Sequence, residues 1–374
     1  MVIRPHTNMK PHELPPLPPK DVHLEGLIPL IGRANAMLAR YDGLLESLIN
    51  PQVLLAPLAT KEAELSSRIE GTIATANEVY QKEAGREFEP QKVADINEVI
   101  NYRSALRLAS REIQTRPIGL YLIRQLHEAL MLDVRGDQFQ GGRFRETQNW
   151  IGPTGCTIEE AVYVPPSPLQ LTDHLSQFEE YMTSDQTEPD PVVRTACLHA
   201  QFELIHPFDD GNGRIGRLLI PLYLTKVGSL AQPSFYISGY FEANRSEYIQ
   251  RLGAISKEGD WEGWIKFFLA ATVEQAQSNL ELVRSMRQLY EEKKDEFTKL
   301  LKTEQAVPLL DFLFEIPTFY SPWVHQKLGI KRERAAGYLR ILLEKEVLTQ
   351  IVPASGRKGA ILSFSSLLSI ADQQ

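Results

Sequence analysis

The stretch His206-Pro-Phe-Asp-Asp-Gly-Asn-Gly-Arg-Ile-Gly-Arg217 carries the reading of the whole chain. Gly211-Asn-Gly213 lets the backbone approach a ligand with no Cβ in the way. The apolar run Ile215, Leu218, Leu219 and Ile220 follows at once and reads as the start of a helix. A helix start offers unbonded N–H groups and the positive end of the helix dipole, which together make an anion site. Arg214 and Arg217 lie three apart, so both can address one anion from one helix face. Asp210 supplies a hard oxygen suited to a magnesium ion that bridges phosphates. Histidine ordinarily titrates near neutrality, which makes His206 a natural general base. Each feature alone reads as a turn or a helix end. Ordered in this way within twelve residues, they describe equipment for moving a phosphorus centre onto a hydroxyl.

On either side of this stretch the chain reads as helical. Apolar residues recur at helical spacing from about 24 to 82, with Asn50-Pro51 and Ala56-Pro57 predicted to break the region into short helices. A helix is expected over 61–82, another over 92–114, and helical periodicity continues through 117–132. The stretch 136–166 differs: glycines and prolines punctuate two β-type runs, Asn149-Trp-Ile and Ala161-Val-Tyr-Val164. It predicts a β-hairpin or irregular flap. Helices are expected again at about 168–183, 190–205, 213–227, 244–256 and 260–296. Residues 305–374 read as a separate small domain, with helices near 306–314 and 331–345. Two β-type pieces, Leu348 to Val352 and Ala360 to Phe364, complete it. Helix, turn, helix and a two-stranded wing is the winged-helix pattern. The proline-rich start, residues 1–20, predicts an extended arm lying along the domain.

Bulk properties limit the classes. The chain has 374 residues, 43% hydrophobic and 24% charged, a globular composition. The formal net charge of -8 supplies no global field for nucleic acid or anionic membrane. Cys156 and Cys197 are the only cysteines, too few for a disulfide framework or a zinc site. No run approaches the roughly 20 apolar residues of a membrane span. The expectation is a cytoplasmic protein without a membrane partner.

The stretch 206–217 closely resembles the signature of the Fic family, His-x-Phe-x-Asp/Glu-Gly-Asn-Gly-Arg-x-x-Arg, at every fixed position. The resemblance implies an all-α protein: a Fic-type helical core with a small β-hairpin flap, plus the C-terminal winged helix. Its implied domains are an N-terminal helical region over 1–115, a catalytic core over 116–300 and the winged helix over 301–374. It implies AMP transfer from ATP to Ser, Thr or Tyr hydroxyls of a target protein, with Mg2+. His206 would deprotonate the target hydroxyl, and Asp210 would hold magnesium. Gly211, Asn212 and Gly213 would bind the α-phosphate. Arg214 and Arg217 would bind the outer phosphates, and Ile215 and Gly216 belong to the same nucleotide-binding segment. Phe208 would anchor the loop. Ala161 to Pro166 looks like the family's flap, with Val162 and Tyr163 over the nucleotide and the target paired by strand addition. Tyr248 resembles a position lining the adenine pocket, although an aromatic at helical spacing also reads as core.

Ser66-Ser-Arg-Ile-Glu-Gly71 is similar to the family's inhibitory motif, Ser/Thr-x-x-x-Glu-Gly/Asn. That likeness implies that Glu70 pairs with Arg217 where the γ-phosphate should bind, with Ser66 on the same helix face. Read without it, the segment is a solvated helix end. Three other readings stay open. The same site could remove AMP from proteins, or it could transfer a different group. The chain could also be a nucleotide-sensing regulator that binds DNA through Lys331, Arg332, Arg334 and Arg340. Self-modification and a homodimer are further expectations.

Overall fold

The computed structural model of the chain describes residues 10–15, 17–19, 22–48, 50–133, 141–153, 155–184, 190–356 and 358–372. The remainder of the proline-rich start and the turn expected at Gly136 lie outside the described residues. Contacts divide the chain into two compact units. One comprises Met1–Ala39 with Ser104–Glu274, the other Arg40–Arg103 with Gln275–Gln374. Three helices run from one unit into the other: α1 (Ile28–Glu46), α4 (Pro90–Glu112) and α11 (Trp261–Leu301).

Within the Arg40–Arg103 segment lie α2 (Pro51–Ile69) and α3 (Ala76–Glu83). Two expectations need correction here. Pro57 sits inside α2 and does not end it. It is buried with Leu54, Leu55 and Leu58, and α2 packs along α12 (Ala306–Glu315). Burial of that apolar face outweighs the helix hydrogen bond a proline forfeits. The single helix expected over 61–82 is two helices. Gly71 takes φ +100°, a conformation that favours glycine. Thr75 then restarts the chain with a reciprocal cap: its hydroxyl accepts from Glu78 N–H, and the Glu78 carboxylate accepts from Thr75 N–H.

The rest of this unit is the C-terminal part. It runs α12, β1 (Thr318–Tyr320), α13 (Trp323–Leu328), α14 (Arg332–Glu344), β2 (Thr349–Val352), β3 (Ile361–Ser363) and α15 (Ser365–Ala371). The strands form an antiparallel sheet in the order β1-β3-β2, with Phe319 opposite Leu362 and Gln350 also opposite Leu362. The two expected β-type pieces are the strands β2 and β3, paired antiparallel. The sequence reading missed β1, a three-residue strand that forms by pairing with β3. Inside α2 the buried Glu64 carboxylate accepts from Lys61 Nζ at 3.2 Å, from Arg68 and from Ala76 N–H at 2.8 Å. Lys61 also meets Asp372 beyond α15.

The other unit holds α5 (Leu120–Leu130), α6 (Leu171–Thr183), α7 (Pro191–Ile205), α8 (Asn212–Lys226), α9 (Ser238–Ala243) and α10 (Arg245–Glu258). Helix α7 starts where Pro191 occupies the first turn and Asp190 accepts from Val192 N–H and Val193 N–H. It is buried along almost its whole length and packs against α8. Gly216 makes that approach feasible: a Cβ there would run into the Glu203 carboxylate and the His199 ring. The described part of the proline-rich arm lies on this unit. His12 N–H donates to Val164 C=O, and Gln201 Nε2 donates to Pro15 C=O. Among the described residues no helix is long and apolar enough to cross a membrane.

Candidate active site

His206 ends α7 in the left-handed conformation, φ 49° and ψ 60°. This is a sparsely populated state for a residue with a Cβ and one that often marks a functional position. Pro207 follows and disfavours continuing the helix. The His206 Nδ1 lies 3.3 Å from Glu203 C=O. A carbonyl only accepts, so Nδ1 carries a proton, and Nε2 is the nitrogen that would act as the base.

The turn from 207 to 212 is held by side chains that bond its backbone. Asn212 is buried and bonds the same residue twice: Phe208 N–H donates to its Oδ1 at 2.8 Å, and its Nδ2 donates to Phe208 C=O at 2.7 Å. Asn149 Nδ2 donates to that carbonyl as well. Gly211 adopts φ +79° as the N-cap of α8, where a Cβ would come within 3.2 Å of Leu130 and Met131. Asp210 Oδ1 accepts from Gly211 N–H at 2.7 Å and lies 3.5 Å from an Arg214 Nη. Helix α8 thus begins at Asn212, and Gly213, Arg214, Ile215, Gly216 and Arg217 form its first turns. Arg214, Ile215, Gly216 and Arg217 are buried. The first N–H groups of a helix lack intrahelical partners, so this end is a natural anion-binding position.

Two residues that the sequence did not single out fix this turn, and a third, His199, is buried in the aromatic core beside it. His127 on α5 stacks on Phe208 with ring centroids 3.7 Å apart. Its Nδ1 accepts from Gly142 N–H, so its Nε2 carries the proton and donates to Asp210 C=O at 2.9 Å. Burial pulls its pKa down to about 4, so it stays neutral at pH 7. Arg145 lies in the run Gly142-Arg-Phe-Arg-Glu146 ahead of the flap. Its guanidinium is buried and donates to His206 C=O at 2.9 Å and Pro166 C=O at 2.6 Å. It thereby ties the base of the flap to the histidine. His199 on α7 is buried between Tyr248 and the aromatic core, and burial lowers its pKa to about 3. Only contacts across separate helices reveal these roles.

The flap is slight. Ile151 and Tyr163 form an isolated antiparallel bridge, Ile151 N–H to Tyr163 C=O at 2.8 Å and Tyr163 N–H to Ile151 C=O at 3.1 Å. The Tyr163 hydroxyl donates to Leu204 C=O at 2.8 Å. Val162, Trp150 and Ile151 are exposed. Tyr248 is buried in an aromatic cluster, 4.5 Å from the Phe241 ring, and its hydroxyl is bonded to His199. Its surroundings are those of the core. Ser66 is wholly buried on α2, which corrects the reading of that position as solvated helix surface. Glu70 is the exposed C-cap of α2, with Gly71 beyond it. The catalytic-type turn belongs to one unit and Ser66 and Glu70 to the other.

Residues 28–111 match the family model described as Fic/DOC family N-terminal, and residues 117–224 match the model described as Fic/DOC family. Together the two span about half of the chain. The protein adenylyltransferase Fic of Drosophila grimshawi is 30% identical over 184 residues, 49% of this chain and 34% of that protein. The protein of the same name from Culex quinquefasciatus is 28% identical over 185 residues. The matched region spans about a third of the length of these relatives. Among solved structures, a Fic family protein from Desulfovibrio desulfuricans superposes with a TM-score of 0.59. It is 19% identical, and the match covers 94% of this chain and 98% of that one. A Fic domain containing signaling protein from Bacteroides thetaiotaomicron gives a TM-score of 0.54 at 20% identity over 67% of this chain and 97% of that one. These likenesses bear on the fold: a mostly helical Fic-type architecture.

Proposed function

The chain belongs to the Fic/DOC family, and from that premise we propose that it is a protein adenylyltransferase that moves AMP from ATP to a hydroxyl of a target protein. The observation that carries this reading is the end of α7 against the start of α8. A histidine whose Nδ1 faces the Glu203 carbonyl stands beside a helix N-terminus rich in arginine. His206 takes the proton of the incoming hydroxyl, which makes the oxygen nucleophilic as it meets the α-phosphorus. The N–H groups at Asn212 and Gly213 receive the α-phosphate oxygens, and Arg214 and Arg217 receive the outer phosphates. Burial of both arginines lowers the local dielectric and strengthens their hold on anionic oxygen. Pyrophosphate leaves as the new ester bond forms.

Magnesium fits the residues present. Asp210 is partly exposed and keeps a carboxylate oxygen besides the one bonded to Gly211. Magnesium characteristically takes one or two protein carboxylates and completes its shell with phosphate and water. Asp210 is therefore the residue that would hold it, and the ion would neutralise phosphate charge. Val162 and Tyr163 supply the flap edge that docks the target. Glu70 restrains transfer by competing with the γ-phosphate. The C-terminal order helix, strand, helix, helix, strand, strand supports a winged-helix domain.

The test is label transfer from α-labelled ATP with magnesium, using the unaltered chain, Glu70→Gly, and Glu70→Gly with His206→Ala. Glu70→Gly is expected to label itself or added protein strongly and the unaltered chain weakly. The double variant should fall by at least about a hundredfold, the usual worth of a general base. Equal labelling with and without His206 would sink the assignment of the base. Silence in every form, with γ-labelled ATP as well, would sink the transferase reading.

A further inference from the structure

The flap's outer edge is already in use. Tyr163 spends both backbone groups on Ile151. Strand geometry alternates, so Val164 turns its own groups to the opposite edge. Val164 C=O there accepts from His12 N–H at 3.1 Å and from His12 Nδ1 at 3.0 Å. The His12 ring lies 4.8 Å from the Tyr163 ring. Three residues on, Pro15 C=O accepts from Gln201 Nε2, on the helix that ends at His206. Residues 10–15 therefore lie where a strand-adding peptide would attach.

The composition of the arm suits a temporary occupant. Pro11 and Pro15 bracket His12. Prolines hold the segment extended before it docks, which lowers the entropy lost on docking. They also lack N–H donors, so the arm cannot pair along the whole edge as a strand would. It is anchored by a few bonds and one ring contact, and a peptide able to form a fuller ladder can displace it.

We propose that residues 10–15 are an intramolecular occupant of the target-docking edge, displaced when an extended target segment donates a backbone N–H to Val164 C=O. This rests on the reading of the flap as the docking edge. The partner it fits is an extended peptide with an aromatic or imidazole ring placed over Tyr163. The arm then controls access of the target to the flap edge, separately from the restraint proposed for Glu70.

The experiment uses the full chain and its His12→Pro variant, which lacks both the N–H and the ring. A fluorescent peptide with the sequence of residues 10–19, and a control with proline at the histidine position, are titrated into each form by anisotropy. The first peptide should bind the variant about tenfold more tightly than the unaltered chain, as expected for one hydrogen bond and a ring contact. The control should bind neither. In the Glu70→Gly background, His12→Pro should raise label transfer several-fold, and the peptide should suppress it. Equal binding to both forms overturns the proposal, as does a peptide that binds without reducing transfer. If no form transfers label, the transferase reading fails, and the binding difference alone still decides whether the arm occupies the edge.

Discussion

The turn after α7 and the flap opposite it lie in one unit and are built differently. In the turn, Asn212, Asn149, His127 and Arg145 spend side-chain hydrogen bonds on the backbone of residues 206–210. In the flap, the Ile151–Tyr163 bridge, the Tyr163 hydroxyl and the bonds of Arg145 to Pro166 C=O and of His12 to Val164 C=O hold the strand at scattered points, and Trp150, Ile151 and Val162 are exposed. The difference suits the two roles proposed for them. Group transfer needs reacting atoms held closely in place, so the supporting side chains are locked. Peptide recognition by strand addition needs backbone groups left accessible to a partner.

The largest expected effect tests the turn directly. Arg145→Met strips donors from the carbonyls of His206 and Pro166 inside the protein. It should cost about 3–5 kcal/mol in urea unfolding. A loss below about 1 kcal/mol would show that the turn is held no more firmly than the flap. A somewhat smaller effect concerns pH. His127 is held near pKa 4 by burial, against an ordinary value of 6.5. The unfolded chain therefore takes up a proton that the folded chain refuses. Stability from this group is complete above pH 6.5 and is lost as pH falls toward 4, by on the order of 3 kcal/mol. Buried His199, lowered to about 3, acts in the same direction. His127→Gln should flatten the fall in melting temperature over this window, and an unchanged slope would remove His127 from the account. The smallest effect belongs to the flap. Tyr163→Phe loses one hydrogen bond to Leu204, about 1 kcal/mol, and should raise the KM for a protein target more than it lowers kcat. A kcat loss at constant KM would place Tyr163 with the turn and erase the contrast.

Much of this was readable along the chain. The glycines and arginines of 211–217 predicted a helix start, and α8 begins at Asn212. The helix expected at about 190–205 is α7, and the β-type run Ala161 to Val164 contains the Tyr163 bridge. What misled was local punctuation. Pro57 reads as a break but is absorbed by the packing of α2 on α12. The helical period from 61 to 82 runs through Gly71 without showing the turn there. Tyr248 reads equally as core or pocket, and only its neighbours Phe241 and His199 place it among core aromatics.

By itself, then, the sequence determined where the candidate site residues lie, because their spacing within one turn and one helix start is a local property of the backbone. It also determined the helical class, because apolar period follows the same short-range geometry. The supports of the site were decided only in three dimensions. His127, Arg145 and Asn149 stand more than 55 residues from the carbonyls of 206–210 that they hold, and no local pattern encodes which distant carbonyl a side chain will reach. Burial is likewise a property of the folded whole. It alone makes Ser66 an interior residue, keeps His127 neutral, and lays His12 on the edge of the flap.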